Sequence, residues 1–250
     1  MQAHPIVSRD EWVKAQRAHL KTEKALTRMR DMVAAERRAL PWVKVERNYV
    51  FDTNAGPKPL ADLFGPNSQL IVHHLMYHPD WEAACPGCTF QADHIDGPRI
   101  HLEHHDVSIV AVSRAPLAKL NAYKKRMGWN FEWVSSNGTD FNRDFHVTFT
   151  PEDIAKGHID YNFGTIVDDP RYFSEELPGI SVFCKGPDGE VFLTQSIQAR
   201  GLDLLIGAHH YFDITPKGRS EIGSPDSIKR RDEYDDAAQQ DACCGRMAEA

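Results

Sequence analysis

The sequence has no apolar run approaching the roughly 18 residues that cross a bilayer, so no spanning helix and no membrane partner are expected. Its first dozen residues, Met1 to Trp12, are polar and charged and lack the apolar stretch of a secretory leader. A reducing cytoplasm is therefore the expected compartment. Basic residues are not in excess: 29 Lys and Arg stand against 36 Asp and Glu, a net charge of -7. Nucleic-acid binding, which needs a basic face to neutralise phosphate, is not expected. Cysteine is scarce and odd in number, five in the chain, which argues against a disulfide scaffold. Any close pair of cysteines then points to redox or metal chemistry. Internal repeats are also absent.

What is present is 41% hydrophobic residues in 250, enough for a packed core in one or two domains. Ser8 followed by Glu11 forms a capping box, and the helix it opens runs to about Leu40, where Pro41 stops it. Leu26, Met29, Val33 and Leu40 recur at helical spacing and give this helix one apolar face, which could pack on the domain or join two copies of the chain. Residues 1–48 are thus expected to be a helical extension. Residues 49–218 read as an α/β domain, and the charge-dense residues 219–250, poor in large apolar side chains, as a mobile tail.

Within the domain, Leu70–Tyr77 and Val107–Ser113 read as buried strands. Pro116–Met127 reads as a helix, with three cations in its last turn and Gly128 as its cap. Ile180–Cys184 and Glu190–Ser196 flank the turn Gly186-Pro187-Asp188-Gly189 and read as a hairpin, followed by a last helix from Leu202 to about Tyr211. Alternating strands and helices followed by a hairpin imply a central mixed sheet flanked by helices, with an antiparallel edge.

The stretch richest in chemistry is Cys85-Pro86-Gly87-Cys88, which follows the first strand and a loop and opens a helix. At the N-cap of that helix, Cys85 would meet free backbone amides and the positive end of the helix dipole, which stabilise a thiolate. Pro86 suits the first helical position, where its missing N–H is not needed. Cys88 lies within one turn, in reach of a disulfide with Cys85. Cys85 is the expected attacking thiol and Cys88 the resolving one, and no cofactor or metal is required. The alternatives are half of a zinc site, completed by His101, His104 and His105 or by His73, His74 and His78, and a pair of inert buried thiols. The adjacent Cys243 and Cys244 have no organising neighbours.

The Cys-Pro-Gly-Cys segment, together with Val112-Ser113-Arg114-Ala115-Pro116-Leu117-Ala118-Lys119, Lys124-Lys125-Arg126-Met127-Gly128-Trp129 and Ala199-Arg200-Gly201-Leu202-Asp203, resembles the bacterial thioredoxin-like family called domain of unknown function 899. The likeness runs from the N-terminal helix to about Gly218 and implies a thioredoxin-like fold. Thioredoxins themselves carry a cis-proline facing the cysteine pair. Leu177-Pro178-Gly179-Ile180 followed by Asp188-Gly189-Glu190-Val191 looks similar, which makes Pro178 the candidate. Ala84 stands where thioredoxins have Trp, and the buried acid that assists their resolving thiol has no counterpart on the strand, where His73 and His74 lie. Asp80 and His78 in the loop are the candidates for that role.

Peroxiredoxins of the bacterioferritin-comigratory branch offer a second alignment. Pro86-Gly87-Cys88-Thr89-Phe90-Gln91-Ala92 resembles the segment around their peroxidatic cysteine, which would make Cys88 the nucleophile. Cys85 replaces the threonine of that motif and Trp81 its proline. Arg114 and Arg200 are the arginines available to hold a peroxide. Without the threonine hydroxyl, peroxide cleavage ranks below dithiol exchange. The expected activity is thiol–disulfide exchange with a protein or small-molecule disulfide, ahead of peroxide reduction and of a non-catalytic binding module.

Overall fold

The computed structural model describes residues 4–157, 159–165, 174–219 and 228–234. The chain divides into two compact units, Met1–Trp42 and Val43–Ala250.

The first unit is one helix, α1 (Arg9–Arg38). Ser8 caps it: its hydroxyl accepts the amide of Glu11, and the Glu11 carboxylate accepts the amide of Ser8. None of its residues is buried, and the expected apolar face of Leu26, Met29, Val33 and Leu40 is exposed throughout.

The second unit is built on an eight-stranded sheet. In chain order its strands are β1 (Val43–Lys44), β2 (Val50–Thr53), β3 (Gly56–Pro59), β4 (Gln69–His74), β5 (Val107–Ser113), β6 (Glu132–Ser135), β7 (Gly179–Lys185) and β8 (Val191–Gln198), and their order in space is β1-β8-β7-β4-β5-β6-β2-β3. The four strands read from the sequence occupy its centre, β8-β7-β4-β5. β4 and β5 run parallel and each is apolar on both faces, as strands covered on both sides must be. β7 returns antiparallel beside β4 and β8 beside β7, through the turn Gly186–Gly189, in which Gly189 takes φ +84. A parallel βαβ unit joined to an antiparallel hairpin on the far side of its first strand is the thioredoxin-like arrangement.

Side-chain alternation splits the core into two layers. Leu70, Val72, Val110 and Val112 face Phe51, Phe64, Phe141 and Phe183 on one side. Leu75, Ala111, Leu120, Met127, Phe131 and Trp133 pack with Cys88 and Ala92 on the other. The second layer is roofed by α2 (Pro86–Ala92), α3 (Asp96–Glu103) and α4 (Leu117–Met127). Short helices α5 (Phe141–Asp144) and α6 (Pro151–Ala155) follow β6.

Strands β1, β2, β3 and β6 were not read from the sequence, and two elements that were read have other limits. β4 stops at His74 instead of Tyr77, because the chain there leaves the ladder for the cysteine loop while Leu75 N–H still donates to Val112 C=O (2.9 Å). The last helix is a 3-10 turn, Ala199–Leu205, and a short helix α7 (Gly207–Asp213), divided at Ile206, whose φ of -101 and ψ of 88 no helix tolerates.

Candidate active site

The cysteine loop is pinned before it reaches the cysteines. Ala115 N–H donates to Tyr77 C=O (2.9 Å), Tyr77 OH to Glu82 C=O (3.0 Å), and Lys119 Nζ to the carbonyls of Pro79 (2.5 Å) and Trp81 (3.0 Å). Cys85 N–H then returns to Met76 C=O (3.1 Å) and closes the loop. Helix α2 begins at once: Cys85 is its N-cap, Pro86 its first residue, and Thr89 N–H donates to Cys85 C=O (2.9 Å). The Thr89 hydroxyl donates to the same carbonyl (3.0 Å) and bonds Tyr123 OH (2.8 Å), which ties α2 to α4.

Both thiols are free; Cys85 is half-buried and Cys88 is 3% exposed. They respond in opposite directions. The Cys88 thiol donates to the Cys85 sulfur and, with the amides of Cys88 and Gly87 and the charge of Arg230, pulls the Cys85 pKa down to about 6 against the opposing effect of burial. Neither amide completes a capping hydrogen bond, so they act mainly as the positive end of the helix. Cys88 is pushed well above the ordinary thiol range, first by its role as donor to Cys85 and then by burial and the neighbouring negative charge.

Glu176 is a buried carboxylate that the sequence reading missed. It is 2% exposed, accepts from Arg114 Nη1 (2.6 Å) and Thr148 Oγ1 (3.0 Å), and is pushed up to about 7 by burial, which outweighs both partners. Its negative charge helps to raise the Cys88 thiol. Pro178 follows two residues later. Gly179 pairs with His74, so Pro178 lies at the end of the sheet where β4 hands over to the cysteine loop. The Leu177–Pro178 bond is trans, contrary to the expected cis form. The segment is held extended by Leu177 N–H to Val147 C=O (2.9 Å) and by Tyr161 OH to Pro178 C=O (2.7 Å).

The other expected residues scatter. Asp80 has a 90% exposed side chain and so cannot be a buried acid; its amide donates to His78 Nδ1 (3.1 Å). His78 lies 3.5 Å from Glu175 and its ring 6.1 Å from that of Trp81. Arg114 is engaged by Glu176, and Arg200, 83% exposed, pairs with Asp203 (2.9 Å) and has no described interaction with the cysteine pair.

Of the suggested metal ligands, His73 and His74 are buried in β4, His74 bonding Ser181 Oγ (2.9 Å), while His105 Nδ1 bonds the carbonyl of His101 (2.8 Å). Among the described residues no group of three or more His, Cys, Asp or Glu side chains could hold a metal ion. Cys243 and Cys244 lie outside the described residues. No helix among the described residues is long and apolar enough to cross a membrane.

A family model described as a bacterial protein of unknown function, DUF899, matches residues 1–234. The chain belongs to the DUF899 family. Comparison of this DUF899 chain with curated proteins gives no match. Similar solved structures include a cysteine-to-serine mutant of PrxQ from Xylella fastidiosa (12% identity, 68% of this chain and 94% of that one, TM-score 0.46). Peroxidoxin BcpB from Mycobacterium tuberculosis is another (14%, 66% and 93%, TM-score 0.44), as is a hypothetical protein from Sinorhizobium meliloti 1021 (12%, 64% and 71%, TM-score 0.40).

In this DUF899 chain two further groups at the site, Arg230 and Tyr123, were not read from the sequence. Tyr123 is a helical apolar-face residue with no distinguishing mark. Arg230 sits in the basic cluster Lys229-Arg230-Arg231, a visible signal within a segment read as a tail.

Proposed function

We propose that this protein is a thiol–disulfide oxidoreductase in which Cys85 attacks and Cys88 resolves. The observation that carries the reading is the placement of two free thiols one helical turn apart, Cys85 half-buried at the N-cap of α2 and Cys88 buried inside it, and the shifts, down for the outer thiol and up for the inner, agree with it. A lowered thiol is a thiolate at neutral pH and a good leaving group afterwards.

The Cys85 thiolate attacks one sulfur of a protein or small-molecule disulfide. The substrate S–S bond breaks, a mixed disulfide forms on Cys85, and the departing thiolate takes a proton from water. Cys88 then gives up its proton, for which we infer Glu176 as the acceptor, and attacks the Cys85 sulfur. The second substrate sulfur leaves as a thiolate and takes up a proton, and Cys85–Cys88 closes as a disulfide. Two electrons have passed to the substrate, and an external dithiol restores the pair. Glu176, poised at about 7, has the affinity that a base working at neutral pH needs.

Alkylation by iodoacetamide against pH tests the first step: Cys85 is expected to titrate near 6, and a midpoint at the free-thiol value of about 8.5 would overturn the reading. Cys85→Ser is expected to abolish reduction of a model disulfide, and Cys88→Ser to trap a mixed disulfide with the substrate. Peroxide reduction predicts the reverse, with Cys88→Ser ending turnover and Cys85→Ser leaving a sulfenic acid on Cys88. Glu176→Gln is expected to slow decay of the mixed disulfide by about 10² without moving the Cys85 titration.

A further inference from the structure

Residues 228–234 lie against the cysteine site. Arg230 Nε and Nη2 both donate to the carbonyl of Ala84, at 3.2 and 2.7 Å, immediately before Cys85. Its Nη1 donates to Glu233 (2.8 Å), and its side chain is only 17% exposed. The segment is fastened to the end of α4 by separate contacts. Arg126 forms a two-pronged pair with Asp232 (2.6 and 3.1 Å), and Arg231 Nη1 donates to Met127 C=O (3.1 Å) and lies 3.6 Å from Asp93. A planar guanidinium fixed by two bonds to one carbonyl is held in place, unlike a surface arginine waving in solvent.

We propose that Arg230 is a positioning residue of the cysteine site: carried in by the strap 228–234, it fixes the Ala84–Cys85 junction and brings a cation beside the peptide that carries Cys85. The inference rests on Cys85 being the attacking thiol. The geometry gives Arg230 two tasks. Its bonds to Ala84 orient the peptide that sets the Cys85 N-cap. Its charge favours the ionised sulfur. The other groups facing this region include Cys88 on α2, Tyr77 in the cysteine loop, Tyr123 and Arg126 on α4, and Glu233 on the strap. Tyr123 bonds Thr89, Arg126 is neutralised first by Asp232 (2.6 Å), and Glu233, which pairs with Arg230 (2.8 Å) and more distantly with Arg126 (3.3 Å), offsets part of the Arg230 charge.

The test is the pH profile of iodoacetamide alkylation at Cys85, read by mass on the full-length reduced protein. Arg230→Gln is expected to move the midpoint up by about one unit, which slows alkylation at pH 6.5 about threefold, and Arg230→Lys to restore part of the shift. Asp232→Ala keeps Arg230 but unfastens the strap, and is expected to give a smaller shift of the same sign with the melting transition intact. An unactivated Cys85 in the unmodified protein defeats the parent reading. An activated Cys85 whose profile is the same in Arg230→Gln and Asp232→Ala overturns this one alone.

Discussion

Ser113 joins three elements through a single hydroxyl. It donates to the carbonyl of Leu75, where β4 turns into the cysteine loop, and accepts from Trp133 Nε1 (3.0 Å) on β6. All three groups are buried, so Ser113→Ala strands one donor and one acceptor away from water. A loss of about 2–4 kcal/mol in urea-melt stability is expected, and a loss under about 0.5 kcal/mol would mean that Trp133 and Leu75 find other partners. At this scale the sequence was legible only where chemistry is local. Cys85, Pro86 and Cys88 could be placed because their spacing is one helical turn and a proline marks the first residue. Glu176 and Arg230 could not, because each reaches the cysteines through a different part of the fold. Asp80 was chosen for its nearness in sequence, and the loop turns it to solvent.

Helices with local caps were readable nearly to the residue. Ser8 and Glu11 open α1 as expected, and Gly128 closes α4 with φ +70. There Trp129 N–H reaches Lys124 C=O (3.1 Å) and Gly128 N–H reaches Lys125 C=O (3.3 Å), satisfying carbonyls the helix leaves open. Nothing crowds the position, so a side chain at Gly128 meets only the backbone penalty. Gly128→Ala is therefore expected to cost about 1–2 kcal/mol in thermal or urea melts while leaving Cys85 alkylation unchanged. Strand limits were less readable, since they depend on partners: β4 ends where β7 and β5 cease to accompany it. The hairpin β2–β3 and the strand β6 escaped notice for the same reason. Gly56-Pro57-Lys58-Pro59 has no strand signature of its own and is extended only because β2 lies beside it.

Stability of the whole molecule should follow the buried pair on β4. Burial lowers His73 to about 4 and His74 to about 3, so both are neutral in the fold at pH 7 and take up protons near 6.5 when it opens. That contribution is fully present above 6.5 and is lost as pH falls. Glu176 acts in the opposite sense: raised from 4.5 to about 7, it contributes below 4.5 and loses that contribution as pH rises through 7. Between about pH 6 and 5 the unfolded chain gains two protons at the histidines and lacks one held by Glu176. Net uptake of one proton on unfolding means about 1.4 kcal/mol lost per unit of acidification, a slope that fades once the folded histidines themselves protonate, near 4 and 3. Urea melts from pH 7 to 4 check this, with His74→Asn expected to flatten the slope by about one proton. A flat profile in the unmodified protein would show that the pair protonates in the fold as readily as in the unfolded chain, and would overturn this expectation.

At the far side of the sheet, β3 is the edge. Leu60 N–H donates inward to Tyr49 C=O, and the alternation of the ladder turns Gly56 and Lys58 inward in the same way. The outward positions are Pro57 and Pro59, which have no N–H to offer. A ninth strand arriving there, from another chain or an unfolded neighbour, would find acceptors and no donors. That rim is closed to the edge-to-edge growth through which open sheets aggregate, and it stays closed whatever the oxidation state of the cysteines.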